Sequence, residues 1–321
     1  MDGVALETEK WIEVLRRMGH EIFILSGQFQ DWVIDPRHDT LAMELSFFSP
    51  ECSWSQKKAF SDPHGDVQEI IDHIELHSKI IADRIIQWAH EKKLDLIISE
   101  NASALPAHLE MGFGIAAAME MLDIPIITHD HDFAWERGTR YVSPHSCINR
   151  MVQDVFPLRL DNSIHAVINT NACITLEEKF GRPSVVVPNV MNFEMDFGIL
   201  NHKNHSLRSD LGFQDTDKLL FQVTRIVRRK GIDVAIDLVH KFDDDRIKLV
   251  ITGDSRDDEG GYYQELVSQI HEKKIMPRVV FASHLIQNRN FLTDGSNRKY
   301  SLSDAYAHAT ASTYFSTYEG F

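Results

Sequence analysis

Apolar positions along this chain switch between a period near four and short unbroken runs. Trp11, Val14, Leu15 and Met18 repeat at i, i+3, i+4 and i+7, and Gly19 follows as a helix C-terminal cap. Residues 21–25 then read as a short strand. A longer stripe covers residues 66–92, where Val67, Ile71, Ile74, Ile81, Ile85 and Trp88 share one face and Ser78 interrupts it. At 1.5 Å per residue that helix is about 40 Å long. Strand-like runs follow at 94–99, 124–128, 166–169 and 184–187, with helical patterns between several of them. Unbroken apolar strands alternating with helices predict a parallel sheet covered on both faces. Residues 188–205 hold few periodic apolar positions and read as a linker. A second alternating set begins near Leu219, with strands at 219–223, 248–252, 279–281 and 312–315. Ile232, Ala235, Ile236 and Val239 make one helix face in this half, and Tyr263, Leu266, Val267 and Ile270 another. The expectation is two Rossmann-like halves, residues 1–200 and 201–321.

Length and composition agree with that division. A chain of 321 residues with 43% hydrophobic and 25% charged residues is a globular protein of about two domains, not a disordered one. The formal net charge of -15 disfavours non-specific nucleic-acid binding. Cys52, Cys147 and Cys173 lie far apart with no C-x-x-C pair, which argues against a zinc knuckle or redox dithiol and weakly for a reducing compartment. No apolar run approaches the length of about 20 residues that spans a bilayer, and no signal peptide is visible. The expected location is cytoplasmic, with a peripheral membrane contact left open. Both ends lack polar fraying, so a fragment is expected.

Candidate chemistry gathers where the predicted strands end, which is where ligands bind in parallel α/β sheets. Arg225-Ile226-Val227-Arg228-Arg229-Lys230 places four cations in six residues between a strand and a helix. Free N–H groups at a helix N-terminus, a bidentate arginine and a lysine point charge suit a phosphate; a solvated basic turn is the alternative. The chain lacks G-x-x-x-x-G-K-[ST], which disfavours a P-loop NTPase. His129-Asp130-His131-Asp132 follows the strand at 124–128. Its side chains could bind a divalent metal, act as acid or base, hold sugar hydroxyls, or form a structural turn. Neighbours on an extended segment point in opposite directions, which argues against four ligands on one ion. Glu100 and Asn101 end another strand and would join the same mouth. Gly253 ends the strand at 248–252 and would let a ligand approach the backbone. Glu319, past the last strand, could accept hydrogen bonds from hydroxyls or be an exposed loop residue.

Taken together these pieces resemble glycosyltransferase family 4, the retaining GT-B enzymes, over almost the whole chain. Ser316-Thr317-Tyr318-Glu319-Gly320-Phe321 resembles the start of the family's Glu-x7-Glu segment. Gln222-Val223-Thr224-Arg225, with Lys230-Gly231 after it, resembles the donor-diphosphate motif. Val187-Pro188-Asn189-Val190 resembles the V-P-N-x pattern before the linker. His129-Asp130-His131-Asp132-Phe133-Ala134-Trp135-Glu136-Arg137 resembles the H-x-H-D-x-x-W-E-R loop of one branch, and Glu100-Asn101 with Pro106 its preceding E-N-x-x-x-x-P stretch.

The resemblance implies an α/β GT-B fold, two Rossmann-like domains facing each other across a cleft, with the second incomplete. It implies that Arg225 and Lys230 hold the donor diphosphate, with Gly253 beside them, and that Glu319 binds hydroxyls of the transferred sugar. Gly3 would lie in a glycine-rich first loop near the phosphate or acceptor. A histidine of the 129–132 loop would contact the donor sugar, His129 and His131 remaining alternatives. The implied reaction is retaining hexosyl transfer from a nucleoside-diphosphate sugar to an unknown acceptor, without metal or cofactor. Two departures stand out. The strand before the glycine loop is missing, and the second glutamate of Glu-x7-Glu would fall beyond Phe321, so this fragment is expected to be weakly active or inactive. Rival readings are a sugar-nucleotide epimerase, a non-catalytic nucleotide-sugar binding protein, and a metal hydrolase built on His129 to Asp132.

Overall fold

A computed structural model describes residues 3–29, 35–191, 197–255, 261–287 and 299–317. The chain divides into two compact units, Met1–Val190 and Met191–Glu319.

The first unit opens with α1 (Gly3–Arg17), β1 (Ile24–Ser26), β2 (Asp39–Leu41), α2 (Pro50–Phe60) and α3 (Val67–Lys92). It continues with β3 (Ile97–Glu100), α4 (Leu109–Met121), β4 (Ile126–Asp130), α5 (Ser146–Val155), β5 (Ser163–Val167), α6 (Thr170–Phe180) and β6 (Ser184–Val186). Asp66 caps α3 by accepting from the Gln68 N–H, which sets the helix start. Its buried stripe is Ile70, Ile74, Ser78, Ile81, Ile85 and Trp88, so Ile70 rather than Ile71 is the fully buried member of the first turns. β3, β4, β5 and β6 form one parallel sheet in that order, and β1 and β2 a separate parallel pair. Gly114 sits against α3, where an added Cβ would stand 2.6 Å from Ile81 Cγ2. Glycine there allows α3 and α4 to approach closely over the core of Ile81, Ile85, Ile115 and Ala118.

The second unit contains α7 (Leu207–Asp210), β7 (Lys218–Gln222), α8 (Ile232–Lys241), β8 (Ile247–Ile251), α9 (Tyr262–Glu272) and β9 (Val279–Phe281). After these come β10 (Ile286–Gln287), β11 (Tyr300–Ser301), α10 (Leu302–His308) and β12 (Ala311–Ser312). Its main sheet is parallel with the order β12-β7-β8-β9. Side-chain alternation divides the core between the two faces. Leu219, Phe221 and Val250 pack with Leu207, Phe213 and Ala305, while Leu249 and Ile251 pack with Ile232, Ile236, Leu266 and Ile270.

Much of the stretch read as linker is tied to the second unit. The Gly198 N–H donates to Ser303 Oγ at 2.9 Å, and Asn204 Nδ2 to Asp304 at 2.8 Å. His308 Nε2 lies 2.8 Å from the Asn204 carbonyl. Polar side chains rather than an apolar stripe hold this segment, so no periodicity announced it. Among the described residues, no helix is long and apolar enough to cross a membrane.

Candidate functional site

In the first unit the centre of interest is the carboxyl end of the sheet. β4 runs through His129 and Asp130, two residues further than the apolar run at 124–128 indicates. Burial explains the difference, because Thr128, His129 and Asp130 are all at most 1% exposed and side chains cover both faces here. The two-residue period then splits the quartet. Asp130 turns towards His165 of β5, which stands opposite Thr128 in register. Thr128 Oγ1, Asp130 Oδ2 and His165 Nδ1 lie within 2.8–2.9 Å of one another.

His129 and His131 share the other side, with ring centroids 4.4 Å apart. Glu100, opposite His129 in register, lies 2.8 Å from His129 Nδ1 and 3.8 Å from His131 Nε2. Burial raises the Glu100 pKa, but hydrogen bonds from His129 and His131 outweigh it, and the carboxyl sits below its usual value. Trp11 of α1 lays its ring 4.4 Å from the His129 ring. With Nδ1 bound to Glu100, the buried Nε2 of His129 has no hydrogen-bond partner among the described residues, while His131 Nε2 faces the Glu100 carboxylate. A buried ring nitrogen of this kind is met by water, an ion or a ligand in native proteins.

Asn101 holds the loop in place. It adopts a left-handed φ of 54°, where asparagine is tolerated better than most residues. Its Oδ1 accepts from the backbone N–H of His131 at 3.0 Å, and its Nδ2 donates to Asp132 Oδ1 at 2.9 Å. Asp132 also pairs with Arg137. Trp135 stacks on Phe133, and Glu136 accepts from the Phe133 N–H at 2.8 Å. Asp132, Trp135, Glu136 and Arg137 therefore brace the loop, while the two histidines face inward. Asn189 Nδ2 lies 3.4 Å from His131 Nδ1.

In the second unit the basic segment follows β7 as a turn containing a short 3-10 helix, Arg228–Lys230. Gly231, at φ 60°, leads from it into α8. Buried Gln222, the last residue of β7, fixes the turn. Its Nε2 donates to the Lys230 carbonyl at 3.0 Å, and its Oε1 accepts from Thr313 Oγ1 at 2.6 Å. Arg225 is exposed and makes no side-chain hydrogen bond or ion pair among the described residues. Arg228 is committed to Glu265 and to the face of Tyr262. Lys230 Nζ lies 5.3 Å from the Tyr314 ring centroid.

Gly253 is buried just past β8, and an added Cβ would stand 2.5 Å from the Thr224 carbonyl and 2.9 Å from the Ile226 nitrogen. Those atoms flank Arg225, so this glycine supports the basic turn by yielding space to it. Gly253→Ala is expected to lower the stability of the second unit by about 1–3 kcal/mol through overpacking. A fall in denaturant midpoint at an unchanged slope would show it, and an unchanged midpoint would mean the turn is free to move away.

Residues 204–321 match the family model described as Glycosyl transferases group 1. Over 244 residues the chain is 32% identical to mannosylglucosylglycerate synthase of Thermotoga maritima, covering 74% of this chain and 53% of that protein. It is 26% identical to mannosylglucosylglycerate synthase of Petrotoga mobilis, covering 100% of this chain and 75% of that protein. The chain thus spans about half the length of the first of these relatives. Among solved structures, a glycosyltransferase from Rickettsia africae superposes with a TM-score of 0.59 at 12% identity, over 98% of this chain and 68% of that one. The fold is GT-B. Both units show the parallel sheets of its Rossmann-like domains.

Of the residues singled out in the sequence, the GT-B first unit brings Glu100, Asn101, His129 and His131 together. The second groups the Arg225 to Lys230 turn with Gly253. Gly3 departs from expectation. It is the exposed first residue of α1 rather than part of a loop, and nothing lies within 4 Å of an added Cβ. Neither space nor backbone angle demands glycine there. Glu319 lies outside the described residues. Sequence reasoning gave no role to Trp11, His165, Asn189 or Gln222. Only Gln222 and Asn189 carried a signal, through the motifs in which they stand.

Proposed function

We propose that this chain carries the donor-binding and sugar-facing groups of a glycosyltransferase that moves a hexose from a nucleoside-diphosphate sugar to an acceptor, with retention of anomeric configuration. The observation that carries the reading is the turn after β7. An exposed arginine without a partner among the described residues and a lysine stand on a segment pinned by Gln222, at the carboxyl end of a parallel sheet. The match of residues 204–321 to the Glycosyl transferases group 1 model supports it.

In this reading Arg225 and Lys230 grip the diphosphate and stabilise the charge that develops on it as the glycosidic bond breaks. Preorganised cations serve such a leaving group without a metal or other cofactor. Glu319 takes hydroxyls of the transferred sugar. His131, backed by Glu100 and His129, presents its ring to the sugar, while Asn101 sets the loop that carries it. The two relatives are named for making mannosylglucosylglycerate. A mannosyl donor and glucosylglycerate therefore head the substrates to try. Calorimetric titration of the chain with nucleoside-diphosphate sugars tests the proposal; saturable binding that depends on the diphosphate is expected.

A further inference from the structure

Away from those residues, the first unit buries a second polar cluster where α2, α3 and α4 meet. Glu110, in the first turn of α4, is 0% exposed, and neither carboxylate oxygen has a hydrogen-bond partner. His108, which caps that helix, is 1% exposed, as is Cys52 of α2. Ligand atoms from Cys52, His108 and Glu110 all lie within 4.8 Å of one another. The Ser55 hydroxyl donates to the Cys52 carbonyl at 3.1 Å.

Two arrangements suit this geometry, a proton shared by His108 and Glu110 or a cation held between them. His108 Nε2 lies 3.1 Å from the Glu44 carbonyl and can meet it only as a donor. The Met111 N–H approaches His108 Nδ1 at 3.2 Å. That same Nδ1 stands 3.1 Å from Glu110 Oε2, with both residues at most 1% exposed. A charge left that way is costly. A metal-ligating imidazole usually donates its other ring N–H to a carboxylate, backbone carbonyl or water, as His108 Nε2 can to the Glu44 carbonyl.

We propose that Cys52 Sγ, His108 Nδ1 and Glu110 Oε2 bind one zinc ion, placing a structural metal site at the junction of α2, α3 and α4. A tetrahedral zinc with ligands at about 2.0–2.3 Å sets N···O separations near 3.3 Å, close to the spacing found. The sulfur, nitrogen and oxygen donors suit zinc better than magnesium or calcium. His73 Nε2 lies 3.4 Å from Glu110 Oε1 and 3.3 Å from the Glu51 carbonyl. Three protein donors leave one position of the ion for water.

Elemental analysis of the purified chain is expected to give about one zinc per molecule. Cobalt(II) added to chelator-stripped protein should produce a thiolate charge-transfer band in the near ultraviolet. Cys52→Ser should lose both the zinc and the band, whereas His129→Ala should keep both, which separates this site from Glu100, His129 and His131. If Cys52→Ser does not fold, the stripped wild type decides, because zinc should raise its melting temperature and cobalt should still give the band. Folded wild type that holds no zinc, shows no cobalt band and gains no stability from zinc would overturn the proposal and leave a shared proton between His108 and Glu110.

Discussion

Replacing Arg225 and Lys230 with alanine together is expected to abolish measurable donor use. Each cation in this reading makes charge-assisted contacts with a diphosphate. Such hydrogen bonds contribute about 1.5–3 kcal/mol, or roughly one to two decades each in kcat/KM. The single variants should therefore each fall by roughly 10- to 100-fold, and the double variant by more than either. Arg228→Ala is the internal control. Arg228 is already engaged by Glu265 and Tyr262, and its loss should leave donor use within a few fold. Steady-state kinetics with the best donor measures all four. Wild-type turnover in Arg225→Ala and Lys230→Ala would remove the phosphate assignment.

His131→Ala is expected to lower kcat by about 10- to 100-fold, the value of one lost hydrogen bond to a charged or developing-charge partner. His129→Ala should cost less. His129 is wholly buried beneath Trp11, so it acts through Glu100 and its neighbour rather than on the sugar. Its effect should also depend on acidity. The Glu100 carboxyl sits below its ordinary value, so its hold on the two imidazoles is complete at neutral pH and weakens only as pH falls through that lowered value. Comparison of kcat and KM across pH for wild type, His131→Ala and His129→Ala checks this. A larger kcat loss in His129→Ala would exchange the two roles.

Periodicity is strongest where one face of a long element is buried, and there the sequence is most readable. The α3 stripe and the two alternating sets of strands and helices stand out from the apolar pattern alone. Strand ends are harder to place. His129 and Asp130 are polar, so they read as a loop after the strand, yet both belong to β4 because partners wait on each face. Those partners come from β3 and β5, about 30 residues away in each direction, and nothing local announces them. The same holds for His165, which is an ordinary strand residue until register sets it beside Thr128. Position alone does reveal that four neighbouring ligands would not share one ion, since alternation follows from backbone geometry. Gly3 fails for the opposite reason. A glycine near the start of a family-like pattern suggests a loop, but α1, the helix that carries Trp11, Val14 and Leu15, includes it.

The central claim is that this chain recognises a nucleoside-diphosphate sugar through the turn after β7. Titration calorimetry with a panel of such sugars, in chelator and at fixed salt, tests it most directly when wild type and the Arg225→Ala, Lys230→Ala double variant are run side by side. Saturable binding to wild type is expected, weaker for the matching nucleoside monophosphate, and lost in the double variant. Binding to neither protein, or equal binding to both, would contradict it.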